Sequence, residues 1–179
     1  GDVRPLDEIC PYRYALPMAP AHAAEEEGNP PDIAKIEDAI SELRSRPGPL
    51  LVEGAGGLLV PLGPGARMSD VARRCGLDIL IVAPLGLGTL NDTQMTVRVA
   101  RDEGLAIAGI ILNDLTGTES PSARRNPSAI EELCDAPLLG VFPHISGLDS
   151  EMKKNMEDGS TAAGRLREAT AGAGWDSIG

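Results

Sequence analysis

Asp78-Ile79-Leu80-Ile81-Val82-Ala83-Pro84-Leu85-Gly86-Leu87-Gly88-Thr89 decides the fold. The apolar run Ile79 to Ala83, enclosed by Asp78 and Pro84, predicts a strand buried on both faces, because a half-exposed strand alternates polar and apolar side chains. Gly86 and Gly88 open a loop, and a helix is expected from about Leu90 to Glu103, closed by Gly104. A second apolar run, Ile107 to Leu112, ends in Asn113-Asp114. Strands that are apolar throughout, with helices between them, predict a parallel sheet with helices on both faces, which is the α/β class.

Working outward, Leu138 to Phe142 is a further strand, preceded by a helix that Asn126 can cap with Pro127 in its first turn. The loop Thr116 to Arg125 is polar. Upstream, Leu50 to Val52 is expected as a short strand, and Ser69 as the cap of a helix running through Arg74 that Gly76 ends. Ile33, Ile36, Ile40 and Leu43 recur at helical spacing after Pro30-Pro31-Asp32, until Arg46 and Pro47 stop that helix. Pro5, Pro11, Pro17 and Pro20 leave no room for a long element before a helix at Ala21 to Glu27. A helix from Ser150 through about Glu168 is weakened by Gly159, and residues 169–179 read as a tail.

With 179 residues, one domain with its own core is expected. A net charge of -11 disfavours a nucleic-acid surface, which needs clustered Lys and Arg, and the basic spot Arg124-Arg125 is small. A small-molecule partner is the expectation. Cys10, Cys75 and Cys134 lie far apart with no C-x-x-C pair, which suits a reducing compartment and makes the cytoplasm the default. No apolar run reaches the length of a membrane span, so no membrane partner is expected, and Gly1-Asp2-Val3-Arg4 reads as neither a signal peptide nor a natural start.

Three loops carry chemistry. In Leu50-Leu51-Val52-Glu53-Gly54-Ala55-Gly56-Gly57 a carboxylate stands at the end of an expected strand, where open α/β sheets place ligands, and the glycines leave space for phosphates. Glu53 is therefore a candidate metal ligand; the alternative is a glycine-rich turn with an exposed acid. The loop Gly86-Leu87-Gly88-Thr89-Leu90-Asn91 leads into a helix whose positive end favours an anion such as a carboxylate, unless Thr89 is an ordinary cap. Asn113-Asp114 ends a strand, where an amide can offer both donor and acceptor to a purine edge, or can simply terminate the strand. Pro143-His144-Ile145 follows the last strand on the same edge. Neither His144 nor His22 forms a Ser-His-Asp set or a metal cluster, and the cysteines lack the electropositive company of a nucleophile.

Pro11-Tyr12-Arg13-Tyr14 with Pro17 and Ala19-Pro20, Val52-Glu53-Gly54-Ala55-Gly56-Gly57-Leu58-Leu59-Val60-Pro61-Leu62, Gly86-Leu87-Gly88-Thr89-Leu90-Asn91, Ala108-Gly109-Ile110-Ile111-Leu112-Asn113 and Pro137-Leu138-Leu139-Gly140-Val141-Phe142-Pro143, in that order, closely resemble dethiobiotin synthetase. The likeness covers nearly the whole chain. It implies a P-loop NTPase-like, mostly parallel sheet, and ATP- and Mg2+-dependent closure of a cyclic urea on 7,8-diaminopelargonate with CO2, on the way to biotin. In such a reaction an amine takes up CO2 as a carbamate, ATP phosphorylates it, and the second amine closes the ring. The resemblance further implies that Glu53 helps hold Mg2+ and that Gly54, Ala55 and Gly56 line the phosphates. It places adenine at Asn113, beside Asp114, and at Pro143, His144 and Ile145. The substrate carboxylate falls to Gly88, Thr89, Leu90 and Asn91, across the interface of a homodimer.

The departures from the family are equally specific. Its phosphate loop and its lysines are expected upstream of Gly1, so no catalytic residue is assigned here, the amino-terminal strands are expected to be missing, and the chain alone is expected to be inactive. Asp92 stands where a histidine often follows, adding negative charge beside the carboxylate turn, and Ala21 stands where Ser-Pro-His often ends the proline motif. The alternative reading is a non-catalytic nucleotide-binding or dimerisation module derived from the same fold. A cobyrinic-acid amidating synthase is disfavoured, since no amidotransferase segment with a catalytic cysteine is present.

Overall fold

The structure, a computed structural model, describes residues 5–147. The expected helix from Ser150 to about Glu168 and the tail at 169–179 lie outside the described residues.

In chain order the elements are α1 (Leu6–Ile9), α2 (Pro20–Glu26), α3 (Ile33–Arg44), β1 (Pro61–Gly63), β2 (Ala66–Arg67), α4 (Met68–Arg74), β3 (Ile79–Pro84), α5 (Thr89–Asp102), β4 (Ile107–Asn113), α6 (Pro121–Leu133) and β5 (Leu138–Phe142). They fall into two compact units. One takes in Leu80–Arg98 and the chain from Ile107 on, the other the chain up to Ile79 together with Val99–Ala106.

The first unit carries the three-stranded sheet, ordered β3-β4-β5. The Ile79 N–H donates to the Ala106 carbonyl and the Leu85 N–H to that of Asn113, so β3 and β4 advance together and are parallel. β5 is also parallel to β4; its register slips between Ile110 and Ile111, after which Asn113 lies beside Phe142. The sheet is parallel and the class α/β, in agreement with the apolar runs. Ile110, Leu112 and Ile130 are fully buried, and each such side chain contributes roughly 1.5–3 kcal/mol of apolar burial. The expected burial of β3 on both faces is corrected: Ile81 and Ala83 are buried, while Leu80 and Val82 between and beside them are exposed, Val82 by 61%.

The second unit is built around α3. Asp32 caps it by accepting from the Ala34 N–H at 3.0 Å, and Ile40 meets Leu62 and Val71 in a core flanked by Ile33, Ile36, Leu50, Met68, Cys75 and Leu77. Here the expected strand at Leu50 to Val52 is corrected. These residues form no strand, and Leu51 is 81% exposed. A strand exists only where a neighbour supplies its ladder, and among the described residues none pairs with this segment. The strands that form instead are the antiparallel hairpin β1–β2, joined by Pro64-Gly65. The cap of α4 is likewise corrected: Arg67 stands at the N-cap, and Ser69 is buried inside the helix. Asp70 reaches back to accept from the Arg67 N–H at 2.8 Å, which satisfies the first orphan donor without a hydroxyl cap.

α6 departs most from expectation. It begins at Pro121, capped by Ser120, whose Oγ accepts from the Ala123 N–H at 3.0 Å. Asn126 is therefore no cap and Pro127 lies inside the helix, which takes up much of the segment expected as the polar loop Thr116 to Arg125. Two Asx/Ser-Pro signals six residues apart compete in this stretch, and tertiary contacts at Asn126 select the earlier one.

Candidate functional site

At the carboxyl ends of β3 and β4 lies an open hollow of about 130 Å³. Pro84, Leu85 and Gly86 form one wall and residues 113–116 another, with Thr118, Ser120 and Ala123 completing it. Such a crevice at the strand ends is where parallel sheets take ligands. Asn113 lines it with a side-chain amide that has no partner among the described residues, so donor and acceptor are both available. Asp114 is engaged locally: its Oδ1 accepts from the N–H groups of Thr116 and Gly117 at 3.0 and 2.9 Å, closing a tight turn.

That turn sits against the loop after β5. The Asp114 N–H donates to the Phe142 carbonyl at 2.9 Å. Gly117 has φ +64°, and a Cβ there would lie 2.8 Å from Cδ2 of His144, so only glycine lets the imidazole rest on this backbone. The structure thus brings Asn113, Asp114, Pro143 and His144 together within one unit, with His144 exposed.

The start of α5 presents the other polar feature of this unit. Gly88 precedes the helix with φ +97°, Thr89 is buried, and its Oγ1 meets that of Thr93 at 3.3 Å. The first-turn N–H groups of a helix have no acceptor within it and carry its positive end. Asn91 is less free than its sequence position suggests. Its Nδ2 donates to Asp92 Oδ1 at 3.0 Å and to Met95 Sδ at 3.3 Å.

Residues 53–57 belong to the second unit and are exposed throughout. Glu53 makes no ion pair or hydrogen bond among the described residues. Gly56 has φ +79°, and a Cβ there would come within 2.9 Å of Val60 Cγ2, so the turn itself demands this glycine. The loop is tied down by hydrogen bonds from the Val60 N–H to Gly57 O and from the Ser69 N–H to Leu58 O. Among the described residues no group of three or more His, Cys, Asp or Glu side chains could hold a metal ion. A Mg2+ ion that keeps its waters and sits on phosphate oxygens needs only one or two carboxylates, and a lone Glu53 fits that mode rather than a protein-built cage.

Nucleophilic cysteine chemistry finds no support. The three thiols are unpaired, and burial pushes the pKa of Cys75 and of Cys134 up, the opposite of activation. Among the described residues no helix is long and apolar enough to cross a membrane.

Several residues of this site were not singled out by sequence reasoning: Leu85, Thr116, Thr118, Ser120 and Ala123 line the hollow, and Asn126 donates to its wall. The pair Ser120-Pro121 carried a readable signal for a helix start there. Nothing local announces Asn126, whose partners lie 40 and 41 residues away.

The AAA domain family matches residues 3–152. The chain belongs to the AAA domain family. This AAA domain chain is 43% identical over 143 residues to the ATP-dependent dethiobiotin synthetase BioD of Anaeromyxobacter dehalogenans (strain 2CP-C), covering 80% of the chain and 64% of that relative. It is 40% identical over 144 residues to the protein of that name from Aromatoleum aromaticum (strain DSM 19018 / LMG 30748 / EbN1), covering 80% and 64%. To that of Bacillus subtilis (strain 168) it is 36% identical over 150 residues, covering 84% and 65%. The AAA domain chain thus spans a little under two thirds of the length of these curated relatives, all of which bear the name inferred from the EGAGG and Gly-x-x-Asn segments.

Proposed function

We propose that this chain supplies the purine-side and carboxylate-side loops of an ATP-dependent dethiobiotin synthetase. In this reading it takes part in ATP- and Mg2+-dependent closure of the ureido ring on 7,8-diaminopelargonate with CO2, in biotin synthesis. The observation that carries the proposal is the unpartnered amide of Asn113 in a hollow at the strand ends, with Phe142 its register partner on β5.

In this reading Asn113 reads the adenine edge, with the 114–117 turn and residues 143–145 enclosing the base. The 88–90 backbone receives the substrate carboxylate, and Asn91 orients that turn through Asp92 and Met95. Glu53 holds Mg2+, and residues 54–56 run beside the phosphates. ATP, when bound, supplies the phosphoryl group that turns a carbamate oxygen into a leaving group. The protein's own part is positioning and charge screening, which is most of what phosphoryl transfer asks of an enzyme. A cytoplasmic homodimer is part of the same reading, supported by the unpaired thiols and the family resemblance.

Calorimetric titration of the chain with Mg-ATP and with 7,8-diaminopelargonate tests it. Asn113→Ala is expected to weaken ATP binding about tenfold, the cost of losing two hydrogen bonds to a base edge, while binding of the diamino acid is unchanged. Equal ATP affinity in both proteins removes the assignment of Asn113. Nucleotide binding with no affinity for 7,8-diaminopelargonate supports instead a nucleotide-binding module.

A further inference from the structure

Asn126 is 5% exposed, lies inside α6, and spends its Nδ2 group on two consecutive carbonyls of the loop after β3: Leu85 at 2.7 Å and Gly86 at 2.8 Å. An amide nitrogen has two hydrogens, so both donors are used on adjacent acceptors of one peptide segment. Those carbonyls belong to the segment that does two jobs. Leu85 and Gly86 form a wall of the hollow, and two residues later the same chain becomes the Gly88 turn that opens α5. A glycine-containing loop of four residues has high conformational freedom, and its far end is the group of N–H donors offered to an anion. The Leu85 N–H is already tied to Asn113 O at 2.9 Å. Among the described residues, the side-chain hydrogen bonds to this loop's backbone come from Asn126.

The position of this asparagine is costly by local rules. It precedes a proline inside the helix, and it buries an amide that would cap or terminate helices elsewhere. A buried amide is retained at such a place when it has partners, and these two are the ones its nitrogen has among the described residues.

We propose that Asn126 is a positioning residue that holds the 85–88 loop, so that the carboxylate-receiving turn at 88–90 is ordered before ligand arrives. The part of this inference that concerns substrate rests on the function proposed above; the part that concerns loop order does not.

The test uses Asn126→Asp, which keeps the shape and removes both donors, with Ile130→Val as a control that loosens the same face of α6 without touching the amide. Backbone ¹⁵N relaxation of the ligand-free chain reads the loop directly. Order parameters at 86–88 are expected near 0.85 in the wild type and the Ile130→Val protein, falling below about 0.6 in Asn126→Asp. Titration with 7,8-diaminopelargonate is expected to show about tenfold weaker binding for Asn126→Asp and little change for Ile130→Val at matched thermal stability. Unchanged order at 86–88 in Asn126→Asp overturns the proposal, as does equal loss of order in both variants, which would make Asn126 a packing residue. If the wild-type chain does not bind the diamino acid while its loop order still depends on Asn126, the functional reading falls and the tether stands.

Discussion

Asp70 shows how one side chain can settle where a helix starts. It accepts from the Arg67 N–H at 2.8 Å and from Arg73 at 2.7 Å. The Arg67 backbone bond chiefly, and then the charges of Arg67 and Arg73, hold its carboxyl pKa below the usual value. A carboxyl depressed on folding adds stability above its unfolded pKa, about 3.9, and loses it as pH falls through the folded value. Asp70→Ala should therefore cost about 1 kcal/mol at pH 7, a difference that shrinks as pH falls through the folded value, read by urea titrations at neutral and acid pH. Gly56 tests a different residue-scale claim. With its positive φ and Val60 2.9 Å from any added Cβ, Gly56→Ala should lower stability by about 1–3 kcal/mol. Gly57→Ala, with open space and no such φ, should fall within about 0.5 kcal/mol of wild type by the same denaturation measurement. The first glycine is demanded by its turn whatever ligand passes it.

At the scale of elements, local pattern located α3 and α5, because their apolar spacing and their terminators lie within the segments themselves. α6 was legible as a helix and illegible in its start, since Ser120-Pro121 and Asn126-Pro127 offer the same start chemistry. If Ser120 is the working cap, Ser120→Ala should destabilise the chain by about 1 kcal/mol in thermal or urea unfolding. Asn126→Asp should disturb the loop at 85–88 rather than the helix start, an outcome that capping by Asn126 would reverse. The same limit explains Leu50 to Val52: three apolar residues suffice for strand propensity, yet pairing depends on a neighbour that propensity does not specify. Asn113 and the 143–145 loop were legible as strand ends, and their adjacency follows from parallel register rather than from either segment.

For the whole molecule, β3 stands at the end of the described sheet with Val82 61% exposed and Leu80 also exposed. A free strand edge beside exposed apolar side chains is a site for self-association. Val82→Lys is expected to reduce light scattering of concentrated solutions while moving the unfolding midpoint little, because the side chain is mostly outside the core. A rise in scattering, or a large loss of stability, would show that Val82 is covered in solution.

The sequence by itself determined the α/β class, the parallel strands at 79–83, 107–112 and 138–142 to within a residue, and the loops that carry the candidate chemistry, since apolar runs and their punctuation are local properties of the chain. Only the tertiary structure decided that Leu50 to Val52 forms no strand, that α6 begins at Pro121, and that Asn126 holds the loop of residues 85 and 86. Each of those turns on whether a backbone or amide group finds a partner distant in sequence, and a buried polar group takes its place from the partner it finds.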